Sequence, residues 1–122
     1  MIIDAYCHVF PKRFFEEVFA TRGKLENMGK RMQSIPMLVD LDRRFAEMDK
    51  FGDYRQIISL PNPPLEEIAD AAEGARLARL GNDGLAELCN RFPERFPGFV
   101  AQVSLNDVVS ALDEIDRAIG EL

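Results

Sequence analysis

The sequence lacks most of the patterns that assign a chemistry directly. It contains one histidine and two cysteines, Cys7 and Cys89, and no Cys-x-x-Cys pair, which excludes a zinc knuckle and a thioredoxin-type motif. It has no glycine-rich phosphate loop, no Gly-x-Ser-x-Gly elbow and no His-Glu-x-x-His pair. Because two distant cysteines do not form a disulfide framework, we expect a reducing, cytoplasmic environment.

Long apolar runs and runs of positive charge are also missing. No stretch approaches the roughly 20 apolar residues of a membrane span, and Asp4 follows the first three residues too soon for a signal peptide. The 15 basic residues are outnumbered by 21 acidic ones, which gives a formal net charge of −6. Since an acidic surface repels phosphate backbones, we expect no nucleic-acid partner and no membrane partner.

The residues that are present form an alternation of strand and helix patterns. The chain has 122 residues and is 47% hydrophobic, which is enough for one domain with a core. Period-two or continuous apolar patterns predict strands at residues 2–9, 54–60 and 98–105. Residues 24–39 show no clear period and predict a long loop with a short helical turn, typical of a functional loop or an insertion.

Helical patterns follow each predicted strand. The first helix should begin at Pro11 and stop at Gly23, and Asp40, Asn62 and Asn106 are the expected N-caps of the later helices. The segment 81–84 (Gly-Asn-Asp-Gly) predicts a kink in the third helix. The last helix has an apolar stripe that we expect to face the core, made of Val108, Leu112, Ile115, Ile119 and Leu122.

This order predicts an α/β fold with a parallel sheet and crossover helices. Right-handed crossovers in strand order 1-2-3 place every helix on one side of the sheet, although parallel sheets are normally buried on both faces. Two solutions remain open. Residues 1–122 are either three βα units of an incomplete (β/α)₈ barrel, which we favour, or a small three-stranded doubly wound sheet in the order 2-1-3.

The first strand carries the candidate site residues. Asp4, Tyr6 and His8 alternate with apolar positions and are predicted to share one face of the strand. At the carboxyl end of a barrel strand, that face points into the active-site mouth. By spacing alone, His8 is more simply explained as a hydrogen-bonded residue at a strand end, and Cys7 is predicted to pack on the opposite face.

Four segments carry a resemblance to the amidohydrolase-related family that includes aminocarboxymuconate-semialdehyde decarboxylase and resorcylate-type decarboxylases. Residues 1–11 (Met-Ile-Ile-Asp-Ala-Tyr-Cys-His-Val-Phe-Pro) resemble the family's opening Asp-x-His-x-His motif. Residues 41–52 are similar to its Arg-x-x-x-Met-Asp-x-x-Gly helix. Residues 82–86 and 92–96 are similar to its Asn-Asp-x-Leu-Ala and Pro-x-Arg-Phe stretches. The segments follow the family's order and spacing and are spread over most of the chain.

The resemblance implies a metal-dependent barrel enzyme, a hydrolase or decarboxylase, that acts on a small carboxylated organic substrate. It implies a divalent metal, Zn or Mn, in the complete protein, with His8 and Tyr6 at the two ligand positions of the first strand. Tyr6 departs from the family's histidine and is a poorer ligand, because a phenol of pKa about 10 must lose its proton. Phe10 and Asn62, just past strand ends, are the expected substrate-lining residues.

The other ligands and the acid–base residues of the family come from later strands. We therefore expect the 122-residue chain to be an inactive N-terminal fragment that holds no metal by itself, because one imidazole cannot hold zinc against water. The alternative is a non-catalytic βα domain that forms a homo-oligomer through its open sheet.

Overall fold

The computed structural model describes residues 1–20, 30–32 and 34–122. Within these residues the elements with defined bounds are, in chain order, β1 (Ile2–His8), α1 (Lys12–Ala20), α2 (Leu41–Met48), β2 (Tyr54–Ser59), α3 (Leu65–Ile68), α4 (Ala71–Arg91), β3 (Gly98–Phe99) and α5 (Val108–Glu121). Short 3₁₀ helices lie at Pro36–Leu38 and Asp49–Phe51. The predicted stop at Gly23 and residues 24–29 and 33 of the predicted loop lie outside the described residues.

The three strands form one parallel sheet in the order β1-β2-β3. Ile2 lies opposite Tyr54 and His8 opposite Ser59 in the register of the first pair. This order is the one expected for consecutive βα units of a barrel. The alternative prediction, a doubly wound sheet in the order 2-1-3, is wrong, because β2 rather than β1 is the central strand.

One side of the sheet is covered by helices and forms the core. Cys7, Val9 and Ile58 lie on this side and are almost completely buried. They belong to a cluster that continues into α1 and α4 through Phe14, Val18, Leu77, Leu85 and other buried side chains. The alternation of side chains along a strand places His8 and Ser59 on the opposite side. There Tyr6 is 81% exposed, and no described helix covers it.

Helix α4 runs without interruption from Ala71 to Arg91, and the kink at residues 81–84 stays a prediction. The glycines of the helix allow close packing. A Cβ atom at Gly81 would come within 2.4 Å of Leu60 Cδ1, and one at Gly84 within 2.4 Å of Pro11 Cβ. Glycine is a weak helix former. The close contacts with Leu60 and Pro11 explain why glycine occupies these positions.

The predicted helix caps at Asn62 and Asn106 are also wrong. Asp70 caps α4 and Asp107 caps α5, each by accepting a hydrogen bond from a backbone N–H three residues later. Asn106 instead donates to the carbonyl oxygen of Ala69 at 2.8 Å and joins the start of α5 to the start of α4. The third strand is shorter than the predicted 98–105, because only Gly98–Phe99 pair with β2.

Helix α5 presents the opposite face from the one its sequence predicts. Val108, Leu112 and Ile119 are more than half exposed, while Ala111 and Glu114 are buried. Glu114 is stabilised there by Arg117 and Asn82, each within 2.8 Å of its Oε1 atom. Asn82 also donates to the carbonyl oxygen of Gln102 and accepts from its N–H, both at 2.8 Å. A buried polar network therefore fixes the orientation of α5.

Candidate functional site

The end of β1 is shaped by an irregularity in its pairing with β2. The register shifts between Asp4 and Cys7, as it does at a β-bulge. Asp4 therefore accepts a hydrogen bond from the Tyr54 hydroxyl at 2.6 Å, on the side where Gln56 contacts α2. The prediction that Asp4 shares a face with Tyr6 and His8 is wrong, because period two is broken between them.

Tyr6 and His8 do lie together on the open side, at the carboxyl end of β1. Their ring centroids are 5.0 Å apart in an edge-to-face arrangement. His8 is partly buried, whereas the Tyr6 ring is largely exposed. The two positions thus form a pair at the end of the strand where (β/α)₈ enzymes place their active sites.

Hydrogen bonds position both the ring and the backbone of His8. The Nδ1 atom lies 3.0 Å from Ser59 Oγ, at the end of the neighbouring strand. The carbonyl oxygen of His8 accepts a hydrogen bond from Arg44 Nη2 of α2. His8 is therefore attached to both β2 and α2, and its ring is presented by a rigid part of the fold.

Arg44 is a buried cation whose bonds connect several segments. Besides His8, its guanidinium donates to Gln56 Oε1 at 2.6 Å and to the carbonyl oxygen of Met37 at 3.1 Å. Burial lowers the pKa of Arg44, and the nearby Asp4 acts in the opposite direction. Arg44 thus holds the 3₁₀ turn, α2 and both long strands together beneath the candidate site.

Cys7 is held in a form that does not suit it as a ligand or nucleophile, and the Asp4 carboxylate is engaged by Tyr54 on the side of the sheet opposite His8. Burial raises the pKa of the Cys7 thiol to about 12, so it stays a neutral thiol with little reactivity. Hydrogen bonds from Cys7 and Tyr54 lower the pKa of Asp4, and its carboxylate is used in holding β1 to β2. The prediction that Cys7 packs away from the site agrees with its burial.

Phe10 and Asn62 both line one small cavity of about 10 Å³ beneath α1. Such a volume holds about one water molecule and is far below the roughly 300 Å³ of small ligand pockets. Phe10 is only 5% exposed, and its ring packs against Phe14, Phe15 and Phe19. Their role as substrate-lining residues remains a prediction for a longer protein.

The described residues do not make up a metal site on their own. Among them no group of three or more His, Cys, Asp or Glu side chains is arranged to hold an ion. His8 supplies one imidazole, and Tyr6 supplies a phenol that binds metal poorly when protonated. A metal at this position would need ligands from outside the described residues.

Comparison with known proteins identifies the relatives of this fold. No family model matches the chain. A gamma-resorcylate decarboxylase from Rhizobium radiobacter is 38% identical over 86 residues, which is 70% of this chain and 26% of that protein. The crystal structure of 5-carboxyvanillate decarboxylase from Sphingomonas paucimobilis matches 98% of this chain and 39% of its own, with a TM-score of 0.75 and 26% identity.

A third relative holds a metal. The crystal structure of a dihydroxybenzoic acid decarboxylase from Polaromonas sp. JS666, with bound manganese and the inhibitor 2-nitroresorcinol, matches 98% of this chain and 35% of its own, with a TM-score of 0.73 and 30% identity. The chain is a homologue of the amidohydrolase-type decarboxylases. It spans about a quarter of the length of the curated relatives it matches.

These homologues confirm the predicted resemblance and the predicted fold. The chain consists of three βα units of an incomplete (β/α)₈ barrel, since the solved relatives extend well beyond the matched part. Sequence reasoning missed two residues that shape the site, Ser59 and Arg44. Ser59 was detectable as a hydroxyl at the end of an apolar strand, whereas nothing local in the sequence marks Arg44 as buried.

Proposed function

We propose that this chain forms the N-terminal part of a metal-dependent decarboxylase, or a related hydrolase, that acts on a small carboxylated organic compound. One observation carries the proposal. His8 lies at the carboxyl end of β1, on the open side of the sheet, in a chain homologous to decarboxylases. In closed barrels that end of the sheet surrounds the substrate.

In this proposal His8 provides one neutral imidazole ligand for a divalent ion, Zn or Mn, in the longer protein. The manganese in a related decarboxylase supports a metal of this kind. The remaining ligands and the groups that move protons come from outside residues 1–122. The 122-residue chain alone is accordingly a positioning scaffold with one ligand, and it is not a catalyst.

The metal part of the proposal is tested by calorimetric titration of the 122-residue chain with Zn²⁺ and with Mn²⁺. We expect no submicromolar binding, because one imidazole binds the ion only weakly and protein zinc sites use three or four ligands. His8→Ala is the matched control and should leave the titration unchanged. Tight, stoichiometric binding that His8→Ala abolishes would show that residues 1–122 contain a complete site.

The catalytic part is tested on a chimaera in which residues 1–122 replace the matching N-terminal part of the gamma-resorcylate decarboxylase from Rhizobium radiobacter. With Mn²⁺ present, we expect it to release CO₂ from a carboxylated phenol. His8→Ala should lower kcat/KM by more than about 100-fold, since even outer partners of metal ligands contribute about 10- to 100-fold. Full activity in His8→Ala would remove His8 from the site.

A second candidate is favoured by the exposed apolar side chains. Ile3, Tyr6 and Val100 are each about half exposed or more, because no described helix covers their side of the sheet. A non-catalytic βα domain that pairs with a second copy through this face would bury them. This candidate predicts a dimer of the 122-residue chain whose formation does not depend on metal.

A further inference from the structure

Ser59 occupies a position from which its hydroxyl reaches two groups of β1 at once. It is the last residue of β2 and lies opposite His8, the last residue of β1. Its Oγ atom is 3.0 Å from His8 Nδ1 and 3.3 Å from the carbonyl oxygen of Cys7. The contact joins residues 51 positions apart in the sequence, so the paired strands create it.

The chemistry of the two partners decides which atom carries the proton. A carbonyl oxygen only accepts hydrogen bonds, and a serine hydroxyl has one hydrogen to donate. If that hydrogen is directed to Cys7, the contact with His8 is a hydrogen bond only when Nδ1 carries a proton and donates to Ser59 Oγ. The opposite arrangement, with Ser59 donating to Nδ1, loses the bond to Cys7.

The position of the imidazole relative to Ser59 is fixed from both sides. The N–H of Val9 donates to the carbonyl oxygen of Ser59 at 2.9 Å, which holds the ends of β1 and β2 in register. Arg44 donates to the carbonyl oxygen of His8 from the other side of the sheet. These main-chain bonds place the two side chains next to each other, and the Nδ1 contact forms directly between them.

We propose that Ser59 is a positioning residue that holds His8 in the Nδ1–H tautomer and leaves the lone pair of Nε2 free to bind a ligand. The hydrogen bond made by one ring nitrogen commonly selects the nitrogen that binds metal. The tautomer is a property of the chain without metal. Only the identity of the atom that Nε2 binds, a divalent cation, rests on the proposed function.

The experiment is ¹⁵N NMR of the 122-residue chain labelled at histidine. His8 is the only histidine in the sequence, so the two ring nitrogens give one unambiguous pair of signals. Spectra are recorded at alkaline pH, where the shifts no longer change with pH. We expect a protonated, pyrrole-type Nδ1 and an unprotonated, pyridine-type Nε2, the reverse of the tautomer that free histidine favours.

Variants assign this tautomer to the Ser59 hydroxyl. Ser59→Ala should reverse the order of the two ¹⁵N shifts, and Ser59→Thr should restore the order of the native chain. Ser104→Ala is the matched control, because the buried Ser104 Oγ has no hydrogen-bond partner among the described residues. It should leave the His8 signals unchanged. A pyrrole-type Nε2 in the native chain overturns the proposal, as does an unchanged pattern in folded Ser59→Ala.

The result does not depend on whether the proposed function holds. If Ser59→Ala fails to give a dispersed amide spectrum, the native chain and Ser59→Thr still decide the outcome. A pyrrole-type Nε2 in either of these two proteins contradicts the proposal. If the tautomer is as expected but His8→Ala leaves metal binding by the longer protein intact, the proposed function fails and the assignment of Ser59 stands.

Discussion

At the scale of single residues, the site depends on side chains that hold His8 and not on a cluster of ligands. The backbone of His8 is bonded to Arg44 and its ring to Ser59. Arg44 is 7% exposed and has three hydrogen-bond acceptors within reach. Removing one partner from such a buried set leaves the other groups unsatisfied, so the arrangement should be sensitive to a single change.

Arg44→Ala should lower the free energy of unfolding by about 3 kcal/mol, because three partly buried acceptors lose their donor and the buried side chain leaves a cavity. Arg43→Ala is the matched control at the neighbouring position. The Arg43 side chain is 68% exposed and pairs with Asp40 at the surface, so its loss should cost at most about 1 kcal/mol. Urea denaturation of both variants measures the difference. Equal costs would show that the Arg44 bonds do not stabilise the fold.

Contacts of single residues also explain the sequence pattern of residues 41–52, one of the segments that carry the resemblance. Arg44 binds the end of β1, and Met48 is buried in the core. Asp49 forms an ion pair with Arg95. Gly52 has a φ of 73°, a conformation that other residues rarely adopt. The pattern therefore reflects the contacts that join α2 to the sheet. The partners in these contacts are distant in the sequence.

At the scale of secondary-structure elements, the sequence predicted the order and type of the elements better than their faces and ends. The alternation of strands and helices and the helix after Asp40 are confirmed. The exposed apolar stripe of α5 shows why the prediction of a helix's buried face fails. Periodicity identifies an apolar side, but the partner of that side is not among the described residues. The buried pair of Asn82 and Glu114 instead determines the orientation.

The sequence predicted the candidate site only in part, because periodicity does not reveal how a strand pairs with its neighbour. The period-two pattern correctly put Tyr6 and His8 on one side of β1, where their rings make contact. It failed for Asp4, because a shift of register is invisible until the partner strand is known. Phe10 follows a strand end as predicted, yet its ring lies in the aromatic core, since hydrophobic burial outweighs its position in a loop.

The contact between α1 and α4 gives a prediction for Gly84→Ala. Alanine favours a helix over glycine by about 1 kcal/mol, but the new Cβ would meet the rigid Pro11 ring at 2.4 Å, and overpacking costs about 1–3 kcal/mol. We expect a net destabilisation in thermal unfolding. Gly120→Ala in α5 is the control, because a Cβ there meets nothing within 4 Å, and it should be neutral or stabilising. A stabilising Gly84→Ala would contradict the close contact.

The contact between α4 and α5 predicts a pH dependence. Burial acts to raise the pKa of Glu114, but Arg117 and Asn82 outweigh it and the net pKa is lowered. A carboxyl group with a lowered pKa stabilises the fold above its unfolded value, and this contribution is lost as pH falls through the folded pKa. Melting temperatures below about pH 5 should therefore fall more steeply for the native chain than for Glu114→Gln. Parallel curves would show that Glu114 is not stabilised as a carboxylate.

At the scale of the whole molecule, the chain is a sheet with one covered side. Helices pack over Val9 and Ile58, while the side that carries His8 has no described helix above it. In the part of the chain that the structure describes, no helix is long and apolar enough to cross a membrane. The solved relatives continue for more than half of their length beyond the matched part. The open side thus corresponds to the interior of a barrel that these 122 residues do not close.

The measurement that tests this account most directly is sedimentation velocity of the 122-residue chain over a range of concentrations. An uncovered apolar sheet face should associate, so we predict larger species of no fixed stoichiometry, whereas a single discrete dimer would favour the non-catalytic candidate. Their fraction should rise with concentration and not fall with added salt, because the contact is apolar. A well-folded monomer at every concentration would contradict the account, since it would mean that the sheet is covered from within the chain.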